Sequence, residues 1–158
     1  MNRMRKVLIA DDEVKVGQLV KRLIQWDRLG LTCIGLVTDG QTAYDKILSE
    51  SPDIVITDIR MPVLTGLEMI QKASEQGVKC HFIVVSGYKY FDYAQKALKY
   101  GVEDYLLKPI DEDELNRQLQ KIVAEEEQRE DKQQQVDQIE KKLEDSKYLR
   151  HKEFLRQI

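Results

Sequence analysis

Asp53-Ile54-Val55-Ile56-Thr57-Asp58-Ile59-Arg60-Met61-Pro62 is a short apolar run that ends on a carboxylate and then meets a proline. Ile54, Val55 and Ile56 form a β-branched, nearly unbroken apolar run, the pattern of a strand buried on both faces. Such strands belong to parallel sheets covered by helices. Pro62 cannot continue a central strand, so the chain turns near Met61. Asp58 then stands at the carboxyl end of a buried strand, where open parallel sheets place their active sites. Val7-Leu8-Ile9-Ala10 repeats the pattern and ends on Asp11-Asp12. Ile83-Val84-Val85 leads to Ser86, and Tyr105-Leu106-Leu107 leads to Lys108. Placed side by side, these four strands bring three acids, one hydroxyl and one amine together.

Outward from this stretch, apolar runs alternate with helical patterns five times. Val16, Leu19, Val20, Leu23 and Ile24 recur near a 3.6 period and predict a helix that Gly30 closes. Residues 32–37 are the second strand. Asp39 caps a helix with Ala43, Ile47 and Leu48 inward, and Pro52 stops it. Thr65 or Gly66 opens a helix through Leu67, Met69 and Ile70, which Gly77 ends. Residues 81–85 are the fourth strand, 90–100 a helix with Ala94, Ala97 and Leu98 inward, and 102–107 the fifth strand. Asp111 caps the last helix, whose early acids suit the helix dipole and whose inner face is Leu115, Leu119 and Ile122. Strict alternation predicts an α/β fold: a five-stranded parallel sheet with helices on both faces.

The chain has 158 residues, with 25 basic and 28 acidic side chains and a net charge of −3. That balance gives no basic footprint for nucleic acid in these residues. Cys33 and Cys80 each lie in or beside an apolar run and read as reduced, mostly buried thiols. His81 and His151 have no partner at metal-ligand spacing. No stretch approaches the roughly 20 apolar residues of a membrane span, and Val7-Leu8-Ile9-Ala10 is too short for a signal-peptide core. The expected compartment is the cytoplasm. Beyond Ile122 the sequence becomes densely charged, and it holds no Gly or Pro after Pro109. The predicted division is a folded domain over 1–124 and a helical tail over 125–158. Val136, Ile139 and Leu143 follow a 3-4 spacing, but Ser146 and Arg150 come next, and 125–135 has no apolar residue. The tail reads either as a charged solvated linker or as a short coiled coil.

Three carboxylates in one crevice raise each other's pKa unless a cation compensates. A hard divalent cation with oxygen ligands is the natural solution, and Mg²⁺ suits a site that offers a few carboxylates and lets the ion retain waters. The acidic pair Asp11-Asp12, the lone Asp58, Met61-Pro62 with Gly66, then Ser86, Tyr105 and Lys108-Pro109 together resemble the receiver domain of bacterial two-component response regulators. The resemblance covers about residues 5 to 122. Trp26, Leu29-Gly30, Gly87-Tyr88, Phe91 and Tyr93-Ala94 further resemble the branch that carries an AraC-type DNA-binding domain. The resemblance implies a flavodoxin-like doubly wound (βα)5 fold with strand order 2-1-3-4-5. It implies Asp58 as phosphoacceptor, with Asp12, Asp58 and the Arg60 backbone carbonyl as Mg²⁺ ligands and Asp11 acting through water. Ser86 and Lys108 would bind the phosphoryl group, Ser86 and Tyr105 would form the switch, and Lys108-Pro109 would be a cis peptide. The implied donor is a phosphohistidine on a sensor histidine kinase, or a small acyl phosphate.

The implied outcome is a homodimer tightened by phosphorylation that acts on DNA only through a domain outside these residues. The chain would promote its own phosphorylation and dephosphorylation rather than act as a metabolic enzyme. Two other readings compete. A phosphatase or mutase with an aspartyl nucleophile needs a second acid two residues after it, and Arg60 stands there. A receiver-like dimerisation scaffold has no need of the complete acid, hydroxyl and lysine set. Arg60 also departs from the small or polar residue common beside the metal.

Overall fold

The computed structural model describes residues 3–87 and 102–156. The helix expected over 90–100 lies outside them, as do Tyr88, Phe91, Tyr93 and Ala94. Strand β1 (Arg5–Ala10) is followed by helices α1 (Val14–Leu23) and α2 (Trp26–Leu29) and strand β2 (Leu31–Val37). Then come α3 (Gly40–Glu50), β3 (Ile54–Thr57), α4 (Gly66–Glu75), β4 (His81–Ser86), β5 (Val102–Leu107) and α5 (Glu112–Arg156). All four strand pairings are parallel. The order β2-β1-β3-β4-β5 is that of a flavodoxin-like fold. Strands β1 and β3 are neighbours whose first connections leave in opposite directions, and the crevice between their carboxyl ends is the switch point of such a sheet.

The central strands carry apolar residues on both faces, as their unbroken runs require. Leu8, Ala10, Val55, Phe82 and Val84 join one core with Ala43, Ile47, Met69, Ile70 and Ala73 of α3 and α4. Val7, Ile9, Ile54, Ile56 and Ile83 alternate with them along the strands, and all are buried too. Two inward assignments made from periodicity do not hold. Leu19 is 37% and Leu48 is 49% exposed, because the apolar stripe in each helix is wider than the face the sheet covers. The segment closed by Gly30 is also two helices, not one: Ile24 leaves the helix at ψ 133°, and α2 restarts at Trp26.

Local chemistry sets the helix ends. Asp39 caps α3 by accepting from the Thr42 N–H at 2.7 Å, and Thr65 with Glu68 forms a reciprocal capping box on α4. The Asp111 carboxylate accepts the Glu114 N–H at 2.8 Å at the head of α5. By contact density the chain divides into two units, residues 1–120 and 121–158. In the second, helical unit Val136, Ile139 and Leu143 are all exposed.

At the amino end of the sheet, Asp53 ties β1 to β3. It forms a forked pair with Arg3 at 2.7 and 3.0 Å and accepts the Lys6 N–H at 2.8 Å. Burial pushes the Asp53 carboxyl up, but the Arg3 pair and the Lys6 N–H outweigh it and hold the group below its ordinary range. An acid with a lowered folded pKa contributes stability above its unfolded pKa and loses it as pH falls through the folded one. Asp53→Ala is expected to cost on the order of 2 kcal/mol at neutral pH, since it strands a backbone donor and a charged partner. The gap from wild type should narrow on acidification, in urea titrations run at neutral pH and near pH 3.

Candidate functional site

The site grows from the turn after β3. The Asp58 N–H donates to the Ala10 carbonyl at 2.9 Å, which locks the end of β3 to the end of β1. The Thr57 hydroxyl donates to the Asp58 carbonyl at 2.9 Å, and the Gly66 N–H donates to the Ile59 carbonyl at 2.7 Å. Gly66 must be glycine because a Cβ there would lie 1.9 Å from the Asp58 carbonyl oxygen. The loop is pinched again at Val63, whose φ of 69° lies in the left-handed region, as the Leu64 N–H closes onto the Pro62 carbonyl at 2.8 Å. These contacts fix the backbone from which the Asp58 side chain projects.

Asp11, Asp12 and Asp58 each place a carboxylate oxygen within 4.8 Å of the others. Asp11 and Asp58 are buried at 5% and 7% exposure, while Asp12 is exposed. The Asp11 carboxylate accepts the Glu13 N–H at 2.9 Å. One Asp58 oxygen accepts the Ile59 N–H at 2.7 Å; the other meets the Lys108 ammonium at 3.0 Å. Lys108 also lies 3.4 Å from Asp11. The Lys108 N–H donates to the Ser86 carbonyl at 3.0 Å, and the Lys108–Pro109 peptide is cis. A cleft of about 400 Å³ opens over this group, lined by Asp12, Glu13, Asp58, Arg60, Ser86, Gly87 and Lys108. Glu13 was not singled out from the sequence; its place directly after the acid pair is the only signal for it.

Charge explains the state of the groups. Burial, reinforced by the neighbouring Asp58 charge, pushes the Asp11 carboxyl up to about 6, despite the opposing Glu13 N–H and Lys108. Burial works against the Lys108 ammonium, but the two acids beside it hold its pKa above the ordinary value. Lys108 and Arg60 against Asp11, Asp12, Asp58 and Glu13 leave a surplus of negative charge, with the hard oxygen donors of the three aspartates facing one another. That donor set suits a hard divalent cation. Ser86 is fully buried, with the Tyr105 hydroxyl as its side-chain neighbour. The Tyr105 hydroxyl donates to the Gly87 carbonyl at 3.1 Å, just past Ser86. Sequence reasoning thus selected residues that the structure brings to one end of the sheet: Asp11, Asp12, Asp58, Ser86, Tyr105 and Lys108.

The response regulator receiver domain family matches residues 7–120. The chain belongs to that family. It is 45% identical over 122 residues to YesN of Bacillus subtilis, an uncharacterized transcriptional regulatory protein, covering 77% of this chain and 33% of that one. It is 35% identical over 120 residues to the transcriptional regulatory protein HptR of Staphylococcus aureus, covering 76% of this chain and 47% of that one. The receiver therefore spans a third to a half of the length of the curated relatives it matches. Among solved structures, the receiver domain of AraT, a response regulator from Geobacillus stearothermophilus, superposes with a TM-score of 0.76 at 35% identity. That match covers 80% of this chain and 98% of that one. Among the described residues, no helix of this receiver is long and apolar enough to cross a membrane.

Proposed function

We propose that this receiver accepts a phosphoryl group on Asp58 from a sensor histidine kinase and passes the change to transcription through association with a second copy. The observation that carries the reading is the acid cluster with Lys108 bonded to Asp58, at the sheet's switch point. Asp12, Asp58 and the Arg60 carbonyl would hold Mg²⁺, with Asp11 acting through water. The bound cation supplies neutralisation of one phosphoryl oxygen during transfer. Lys108 neutralises a second, and the Ser86 hydroxyl with nearby backbone N–H groups receives the third. An Asp58 oxygen attacks phosphorus in line and forms the acyl phosphate. The bond from phosphorus to the donor's imidazole nitrogen, or to the oxygen of a small acyl phosphate, breaks with its electron pair on the leaving group. No base is required, because the nucleophile is an ionised carboxylate. Water later cleaves the acyl phosphate, and Arg60 at the rim of the cleft bears on how fast.

The buried hydroxyl of Ser86 is poised for a new acceptor. Drawn toward the phosphoryl oxygens, it frees space next to Tyr105, and a local charge event biases a two-state element. The face next to β5 changes and favours dimerisation, with the Val136, Ile139 and Leu143 seam adding to it through effective concentration. Output to DNA, by the AraC-type branch or another, runs through a domain outside residues 1–158, and the setting is the cytoplasm. The mass of the intact protein tests the reading. After acetyl phosphate with Mg²⁺ it should gain one phosphoryl group, and with EDTA it should gain none. Equal incorporation in both would remove the cation from the mechanism; none in either would leave the dimerisation scaffold as the better account.

A further inference from the structure

Asn116 holds the corner where the end of α1 and the start of α2 meet α5. It lies near the start of α5 and is 3% exposed. Its Oδ1 accepts the Gln25 N–H at 2.9 Å, and its Nδ2 donates to the carbonyls of Leu23 and Glu112, both at 2.8 Å. A reversed amide would set N–H against N–H and oxygen against oxygen, so the partners fix its orientation. Leu23 ends α1, and its carbonyl is one of those a helix cannot satisfy internally. Gln25 precedes α2 and no side chain caps that helix from within it. Trp26 donates its ring N–H to the Lys21 carbonyl at 2.8 Å in the same corner. Arg28 bonds the Gln25 side chain and reaches Gln120 of α5 at 3.4 Å.

The other end of α1 is the acid pair. Glu13 is the residue before the helix, its N–H donates to Asp11, and its carbonyl accepts the Gly17 N–H at 3.1 Å. A single helix of 10 residues therefore runs from the acid cluster to the corner held by Asn116. We propose that Asn116 is a positioning residue that ties the first turns of α5 to the end of α1, so that cation binding at the acid pair is felt at the root of α5. This is a second connection from the site, separate from the one through Ser86 and Tyr105. It rests on the reading that the acid cluster binds a divalent cation.

Amide hydrogen exchange in the 1–158 protein tests it, with calorimetry of Mg²⁺ binding beside it. In wild type, Mg²⁺ should slow exchange at Gln25 and at residues 115–120 several-fold. Asn116→Ala should lose the slowing at 115–120 and, by reciprocity of the coupling, bind Mg²⁺ more weakly by no more than the same several-fold factor. Slowing of the same size in the variant, or none in wild type that binds Mg²⁺, overturns the proposal. Wild type that binds no Mg²⁺ overturns the cation reading and the coupling with it, while the anchor itself is decided by Asn116→Asp. An ionised carboxylate there faces two carbonyls and cannot donate. Once protonated it accepts from Gln25 and donates to Leu23. Protection of the Gln25 amide should therefore return on acidification in Asn116→Asp and show no such step in Asn116→Ala. Identical pH profiles in the two variants would mean that Asn116 anchors nothing.

Discussion

Gly66→Ala should lower stability by about 3 kcal/mol or more and the melting temperature by about 10 °C, and should abolish phosphate uptake in whatever remains folded. The added Cβ would sit 1.9 Å from the Asp58 carbonyl oxygen and 3.1 Å from the Thr57 hydroxyl. The obstacle is backbone, not the end of a flexible side chain. It has little freedom to retreat, because the Asp58 N–H is held by Ala10 and its carbonyl by Thr57. Relief must come from moving the turn that carries Asp58 or the start of α4, and either move displaces the carboxylate from Lys108. Gly77→Ala is the control. Its φ of 73° strains any side chain, yet nothing lies within 4 Å of the new Cβ. It should cost about 1 kcal/mol and leave phosphate uptake unchanged. Thermal melts and uptake assays on both variants compare steric collision with simple backbone strain. Equal stability for the two would mean that the close approach at Gly66 is relieved at no cost.

The second large effect concerns Asp11 and pH. Its carboxyl is pushed from an ordinary 3.8 up to about 6, first by burial and then by the Asp58 charge, with the Glu13 N–H and Lys108 opposing. An acid raised in the folded state binds more protons folded than unfolded between these values. In the metal-free protein its contribution to stability is therefore greatest below pH 4 and is lost as pH rises through about 6. Asp11→Asn should stabilise the protein in EDTA at pH 7 by roughly 1 to 3 kcal/mol, the worth of a shift of that size after allowance for relaxation. Mg²⁺ must displace the proton, so its apparent affinity should fall about tenfold per pH unit below 6 and level off above. Asp11→Asn should bind Mg²⁺ more weakly at neutral pH and lose that dependence. Calorimetry from pH 5 to 8 reads both. A flat profile in wild type would mean that Asp11 is ionised throughout.

The main features of the fold were legible because the apolar runs of β1, β3 and β4 are almost wholly buried and lead directly to Asp11, Asp58 and Ser86. Parallel strands share one carboxyl end, which put Asp11, Asp12, Asp58, Ser86 and Lys108 at the same edge of the sheet, while the strand order that makes them neighbours came from the family resemblance. What sequence could not show was the reason for Gly66, since a close approach between two backbones leaves no periodic trace. Leu19 and Leu48 were misplaced because a 3.6 period gives the direction of a helix face but not how much of it a neighbour covers. Trp26–Leu29 continues the pattern of α1, so the break at Ile24 was invisible. Asn116 resembles any polar residue on an amphipathic helix; two of its three partners are 91 and 93 residues away in the chain. Arg5, 2% exposed at the start of β1, was equally hidden, because a charged residue at a strand's first position normally reads as solvated.

In the proposed reaction Asp58 itself takes the phosphoryl group. Borohydride reduces an aspartyl phosphate to homoserine, so treatment after acetyl phosphate and Mg²⁺ marks the acceptor in place. Peptide mass spectrometry should then find homoserine at position 58 of the wild-type protein, and unmodified aspartate at 11 and 12. Asp58→Asn should remain folded and carry no homoserine anywhere. Homoserine at Asp11 or Asp12 in wild type, or a phosphoryl adduct persisting undiminished in Asp58→Asn, would contradict the assignment.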